Sequence, residues 1–237
     1  MINRISNIQV TQNRAKLALS DTRPLNKDIF LIKGLATTDS VSFGKTPAKN
    51  LVEEIITAAQ EAKKIRFEEL TPTSSDIFMA GNKYSIDEFP STPPIIRLKK
   101  DAGGNGIDIS IVDTNKENYK ELNDSLRQIA IPQILQRKGF KQNNLAGLIE
   151  ELKERLNLDS LKFLGSYKEV QNGQKVKKSA YYVPSDAKNS SVNFVKDAQN
   201  NPPRFYKIEL VDHNGYSNSF HLKNDAEIEL AKPFFKK

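Results

Sequence analysis

From Pro47 onward, apolar residues return at three- and four-residue steps: Leu51, Ile55, Ala58, Ala59, Ala62 and Ile65, with Glu53, Glu54, Glu61, Lys63 and Lys64 between them. That spacing puts the apolar side chains on one stripe of an amphipathic helix. Its end is predicted near Leu70, because Pro72 cannot continue a helix and Thr71, Thr73, Ser74 and Ser75 favour turns. Residues 76 to 94 hold two short apolar pieces broken by Gly81-Asn82 and closed by Pro90, Pro93 and Pro94, which a small hairpin and a loop would fit.

The period then changes to two. Ile96 and Leu98 alternate with Arg97 and Lys99, and beyond Gly103-Gly-Asn-Gly106 the residues Ile107, Ile109 and Ile111 alternate with Asp108 and Ser110, the signature of a hairpin with one buried face. Thr114 to Glu117 has the form of a capping box and predicts a helix start. Tyr119, Leu122, Leu126 and Ile129 form the stripe of that helix, and Pro132 marks its end or a kink. A further helix follows from about Asn144, with Leu145, Leu148, Ile149, Leu152 and Leu156 on one face.

The last third predicts two more hairpins, Leu161 to Val170 against Lys175 to Val183 across Asn172-Gly173, and Phe205 to Asp212 against Tyr216 to Leu222 across Asn214-Gly215. In the second, a three-residue loop with Gly215 in the left-handed region sets Ile208 opposite Phe220, Tyr206 opposite Leu222 and His221 opposite Lys207; a two-residue turn would scatter the apolar residues over both faces. Residues 184 to 203 are mostly polar and read as a loop with room for a short helix over Val192 to Ala198. Strands outnumber helices and short turns join them. The expected fold class is therefore α+β, an antiparallel sheet built from hairpins with amphipathic helices packed on one side, preceded by a partly disordered basic N-terminal arm. The arm covers residues 1–47 and the α+β domain 48–237; a subdivision into 48–158 and 159–237 also fits, and the pattern does not choose.

A composition of 38% hydrophobic and 27% charged residues is too apolar for a wholly disordered chain, and no stretch approaches the roughly 18 apolar residues of a membrane span, so a soluble protein is expected. The net charge of +7 is uneven: residues 1 to 50 hold eight Lys/Arg against three Asp/Glu, 51 to 158 fifteen against seventeen, and 159 to 237 thirteen against nine. A basic balance suits a polyanionic partner and also serves plain solubility. No apolar run of secretory length follows the basic start, and the expected location is cytoplasmic. The alternative is organellar import through residues 1–20, which carry Arg4, Arg14 and Lys16 with no acid.

The chain has no cysteine and two histidines, which removes thiolate chemistry and most histidine constellations. His213 falls at a turn and His221 reads as a half-exposed strand residue; with Asp212, Ser217 and Ser219 they contain the parts of a triad but nothing that fixes its geometry. The loop from Asp101 to Asp108 lacks the lysine and hydroxyl of a phosphate loop and the ligand pattern of a calcium loop, and so reads as a turn. Asp108 and Asp113 fall on opposite faces of one strand. No catalytic residue, metal ligand or cofactor is expected. The most suggestive patch is one hairpin carrying Lys162, Lys168, Lys175, Lys177 and Lys178 with Tyr181 and Tyr182, since cations neutralise phosphates while aromatic faces stack on unpaired bases. The same pattern arises where strands pack aromatics and lysines protect an edge. Lys232-Pro-Phe-Phe-Lys-Lys237 could touch an anionic membrane or dock its two phenylalanines. The leading expectation is a non-enzymatic binding or interaction domain of unknown partner, a protein being one possibility, whose contacts use sheet surface and hairpin edges instead of a deep reactive pocket. The alternatives are a nucleic-acid-binding module using the Lys/Tyr hairpin, or a hydrolase or transferase with a dispersed carboxylate and serine site.

Overall fold

The structure, a computed structural model, describes residues 48–90, 95–101, 103, 106–111, 122–184 and 190–236, and of 48–50 and 108–111 the backbone alone. The arm over 1–47 with its import reading, the Thr114 to Glu117 capping box, Asp113 and Tyr119 lie outside the described residues. Helix α1 (Ala48–Glu61) leads into a meander of β1 (Ile65–Thr71), β2 (Ser74–Met79), β3 (Asn82–Phe89), β4 (Ile95–Asp101) and β5 (Ile107–Ile111). Helices α2 (Leu122–Arg137) and α3 (Leu145–Asn157) follow. A second meander runs through β6 (Lys162–Gln171), β7 (Gln174–Val183), β8 (Ser190–Asp197), β9 (Tyr206–Val211) and β10 (Ser217–His221), closed by α4 (Asp225–Ala231) and a 3₁₀ turn, Lys232–Phe234.

All ten strands form one sheet in the order β5-β4-β3-β2-β1-β10-β9-β8-β7-β6, antiparallel throughout except where β1 meets β10. The helices pack on one side, as the amphipathic stripes predict. Leu51, Ile55, Leu126, Ile134, Leu148 and Leu152 from the helices join Phe67, Ile86, Leu98, Phe194, Ile208 and Phe220 from the strands in one buried apolar cluster. The β9–β10 register is the predicted one: Ile208 pairs with Phe220 and His221 with Lys207, the Leu222 N–H donates to the Tyr206 carbonyl, and Gly215 has φ +80.

Two expectations of secondary structure fail where a strand takes residues read as helix. Helix α1 stops at Glu61 instead of near Leu70, because Ile65, Phe67 and Glu69 alternate with Arg66 and Glu68 and these five residues pair one by one with β2. Ile65 fits either period; the residues after it fit only the strand. The polar stretch expected as a loop with a helix over Val192 to Ala198 contains β8, which is hydrogen-bonded on both sides, to β7 and to β9. Pairing on two edges there overrides local polarity, and Asn193 is buried with its amide on Glu209 Oε2 at 3.4 Å. Helix α2 runs on through Pro132 to Arg137, so of the two outcomes named for Pro132 it is not the helix end.

The junction of the two meanders is stitched by side chains. Among the registered pairs β1 and β10 share one, Glu68 with Ser219. Beside it Asn218 Oδ1 accepts the Phe67 N–H at 3.1 Å, Ser219 Oγ donates to the Glu69 carbonyl, and the His221 N–H donates to the Glu69 carboxylate. That carboxylate, 3% exposed, also takes Arg127 Nη1 from α2 at 2.7 Å on each oxygen, while Arg127 Nη2 donates to the His221 carbonyl.

The C-terminal half of the sheet curls. Gln171 at the end of β6 donates to Glu209 on β9 at 2.9 Å, and Asn172 in the β6–β7 turn reaches the carbonyl of Leu70 in β1 at 3.5 Å. On a flat sheet β6 and β1 would stand about 24 Å apart, five strand spacings, so these contacts require the six strands from β6 round to β1 to wrap towards one another.

Candidate functional site

The curl decides where the predicted hairpin residues lie. Lys178 is 8% exposed, its ammonium 2.7 Å from Glu169 and 2.9 Å from Glu209 on the concave side. Lys207 joins Glu209 at 3.0 Å. Although burial pushes the Glu209 carboxyl up, Lys207, Lys178 and Gln171 together hold it below the usual carboxylate range. Tyr181 points to the other face, buried among Phe163, Phe194 and Phe234, and its hydroxyl donates to the Phe234 carbonyl at 2.9 Å. Burial pushes its phenol up to about 12. Of the remaining five, Lys168 faces Lys177 across the β6–β7 pair and Lys175 shares their face, whereas Lys162 faces Tyr182 on the opposite one. Lys162, Lys168 and Lys175 are exposed; Lys177 and Tyr182 are half-buried. The hairpin thus divides its cations between two faces and commits one lysine and one tyrosine to the interior. In the C-terminal tail Phe234 is fully buried and stacked on Phe194 at 4.3 Å, so that ring is docked within the protein.

The histidines separate as well. His213 is exposed in the β9–β10 turn. His221, expected to be half-exposed, is 4% exposed, with Phe205 against its ring at 5.5 Å and no hydrogen-bond partner on either ring nitrogen among the described residues. Its alternation predicts the polar face correctly; the curl of the sheet covers that face. Among the described residues no group of three or more His, Asp or Glu is placed to hold a metal ion. No helix there is long and apolar enough to cross a membrane.

A cleft of about 840 Å³ opens where β1 and β10 begin, between the end of α2 and the β9–β10 turn. Its position follows from the topology. At this end the chain enters β1 from α1 and enters β10 from β9, so no connection crosses between the two. Five cations line the cleft, Lys64, Arg66, Arg137, Lys138 and Arg155, against one carboxylate, Asp212. Helix α2 presents two of them through its own ending: the Phe140 N–H donates to the Leu135 carbonyl and the Gly139 N–H to the Gln136 carbonyl, with Gly139 at φ +76. This Schellman motif satisfies carbonyls of the last turn, so the helix end shows cations to the cleft.

The cations differ in what already engages them. Arg155 is paired with Glu151 at 2.7 Å, and Arg66 lies 3.3 Å from Glu68. Arg137 donates to the Ile65 carbonyl at 2.6 Å and to the Gln133 carbonyl at 3.4 Å, both neutral groups. Lys64 and Lys138 make no ion pair among the described residues. Burial pushes the half-buried Lys138 ammonium below its usual range; Asp212 opposes this and Arg137 adds to it. Asp212 is itself turned to the backbone, its Oδ1 accepting the Asn214 N–H at 2.9 Å and the Tyr216 N–H at 3.0 Å. On the same wall the Arg66 guanidinium is centred 3.6 Å from the Phe78 ring and 5.2 Å from the Tyr216 ring.

No signal in the linear sequence marked this cleft, since its cations come from three separate stretches and none belongs to a phosphate-binding motif. No family model matches the chain, and no match is found among curated proteins or solved structures.

Proposed function

We propose that this protein is a binding domain whose ligand is anionic and occupies the cleft between α2 and the β9–β10 turn. The observation that carries the reading is Lys138, a half-buried ammonium that makes no ion pair among the described residues and faces only an Asp212 turned to the backbone, next to an Arg137 that spends its donors on neutral carbonyls. A desolvated cation is unfavourable until a countercharge arrives, so a phosphate or carboxylate entering there would relieve a cost the free protein already bears. The cleft size falls within the roughly 300 to 1,000 Å³ of small-molecule sites. Charge-assisted bonds from lysine and arginine supply both affinity and orientation.

This reading keeps the binding domain of the leading expectation and moves its contact from sheet surface and hairpin edges to a cleft, with a ligand charge. Isotope-edited NMR with inorganic pyrophosphate tests it. Shifts should cluster at residues 136–140 and 212–218, weaken with rising salt, and weaken again in Lys138→Gln and Lys64→Gln. Shifts scattered over the surface, or unaltered by both substitutions, would show that the cleft is not an anion site.

A further inference from the structure

The cations account for one wall of the cleft and leave its aromatic part unused. We infer that the ligand is a nucleotide unit, its phosphate beside Lys138 and Arg137 and its planar base stacked on Tyr216. This rests on the anion-binding reading above and specifies the ligand.

Tyr216 is 56% exposed, yet its backbone is fixed: its N–H donates to Asp212 Oδ1 and its carbonyl accepts the Asp212 N–H at 3.0 Å. A large open ring with few torsions, anchored at the mouth of a cleft, offers stacking area at low entropic cost. Behind it Arg66 bridges Tyr216 to Phe78, and Glu68 answers the Arg66 charge. Arg66 therefore serves the wall as a stacked plane, while Lys138, like Lys64, makes no ion pair among the described residues. Inorganic phosphate would satisfy the lysine and leave most of about 840 Å³ empty and the ring uncovered. A nucleoside phosphate carries both groups in one molecule. Aromatic stacking accepts any base, which matches a wall whose Asn218 Oδ1 is engaged by the Phe67 N–H.

The chemistry is shared by a free nucleotide and by a nucleotide within a single strand. The test is calorimetry on the full chain with adenosine 5′-monophosphate, ribose 5-phosphate, and a short oligoadenylate having only internal phosphodiesters. Adenosine 5′-monophosphate should bind more tightly than ribose 5-phosphate. Tyr216→Leu should remove that advantage, a loss of about 5- to 150-fold, and leave ribose 5-phosphate unaffected. Lys138→Gln should weaken both. Tight oligoadenylate binding that is sensitive to Tyr216→Leu assigns the site to strands; adenosine 5′-monophosphate binding without it assigns a free or terminal nucleotide. Equal binding of the two monophosphates, indifferent to Tyr216→Leu in a variant of unchanged melting temperature, overturns the nucleotide inference and leaves the anion site standing. If neither monophosphate nor pyrophosphate binds, both readings fall.

Discussion

Acidification should destabilise this protein through His221. The imidazole is buried with both ring nitrogens unpartnered, and burial, reinforced by Lys207, Arg127 and Lys223, pushes it down from 6.5 to about 4. In the unfolded chain the same ring takes a proton near its ordinary value. As pH falls through 6.5 the unfolded state therefore gains a proton that the folded state refuses until about 4, and stability declines across that window. At 1.36 kcal/mol per unit, the loss is about 3 kcal/mol, a large share of the roughly 5 to 15 kcal/mol that holds a domain together. Urea denaturation at constant ionic strength, in steps from about pH 7.5 to 4.5, reads it out. The comparison is His221→Phe, which keeps an aromatic ring against Phe205 and removes the titration; other groups cancel in the difference between the two proteins. That difference should shift by about 3 kcal/mol in favour of the variant as pH falls. At neutral pH the variant should be at least as stable, since an apolar ring replaces unsatisfied buried nitrogens. A difference independent of pH would refute the argument. The chain has only two histidines, so the His221 midpoint can also be followed directly by NMR.

Three further perturbations probe the frame that carries the cleft. Arg127→Met strands the Glu69 carboxylate at 3% exposure and should cost about 3 to 5 kcal/mol in equilibrium unfolding, less when combined with Glu69→Gln, whose amide oxygen still accepts the His221 N–H. Phe234→Ala removes the ring stacked at 4.3 Å on Phe194 and should cost a further about 3 to 5 kcal/mol by the same assay. Gly139→Ala meets no atom within 4 Å and tests conformation alone; a side chain held at φ +76 should cost about 1 to 2 kcal/mol, measured as a lower urea midpoint.

The sequence pattern reaches as far as local periodicity reaches. Alternation and Asn-Gly turns are enough for the β9–β10 register, because a slip by one residue would turn Ile208 and Phe220 out of the core. The same reasoning misplaces the end of α1, where Ile65 satisfies both periods, and misses β8, whose Ser190, Ser191 and Asn193 look like loop residues until two neighbouring strands claim them. It also treats the Lys/Tyr hairpin as an open face. Alternation shows that Lys178 and Tyr181 point opposite ways, but the curl that buries Lys178 is set by contacts from Gln171 to Glu209 and from Asn172 to Leu70, dozens of residues apart. The cleft is beyond such reading for the same reason: Lys64, Lys138 and Tyr216 become neighbours only once the two meanders meet.

That meeting explains why the cleft forms at this end of the junction. Helix α2 lies along β1 in the opposite direction, tied at one end by Arg127 to Glu69 and at the other by Arg137 to the Ile65 carbonyl. Ten helical residues advance about 15 Å and four strand residues about 13 Å, so the two ties suit one straight helix over one strand. Each tie closes an end of the β1–β10 seam differently. At the Glu69 end the carboxylate, the guanidinium and the His221 backbone fill the seam with bonded, buried groups. At the Ile65 end the arginine spends its charge on a neutral carbonyl, Asn218 caps the last strand donor, and the helix terminates on Gly139 with Lys138 facing the gap. One helix thus seals the junction where its arginine meets an acid, and leaves it open and positive where it does not.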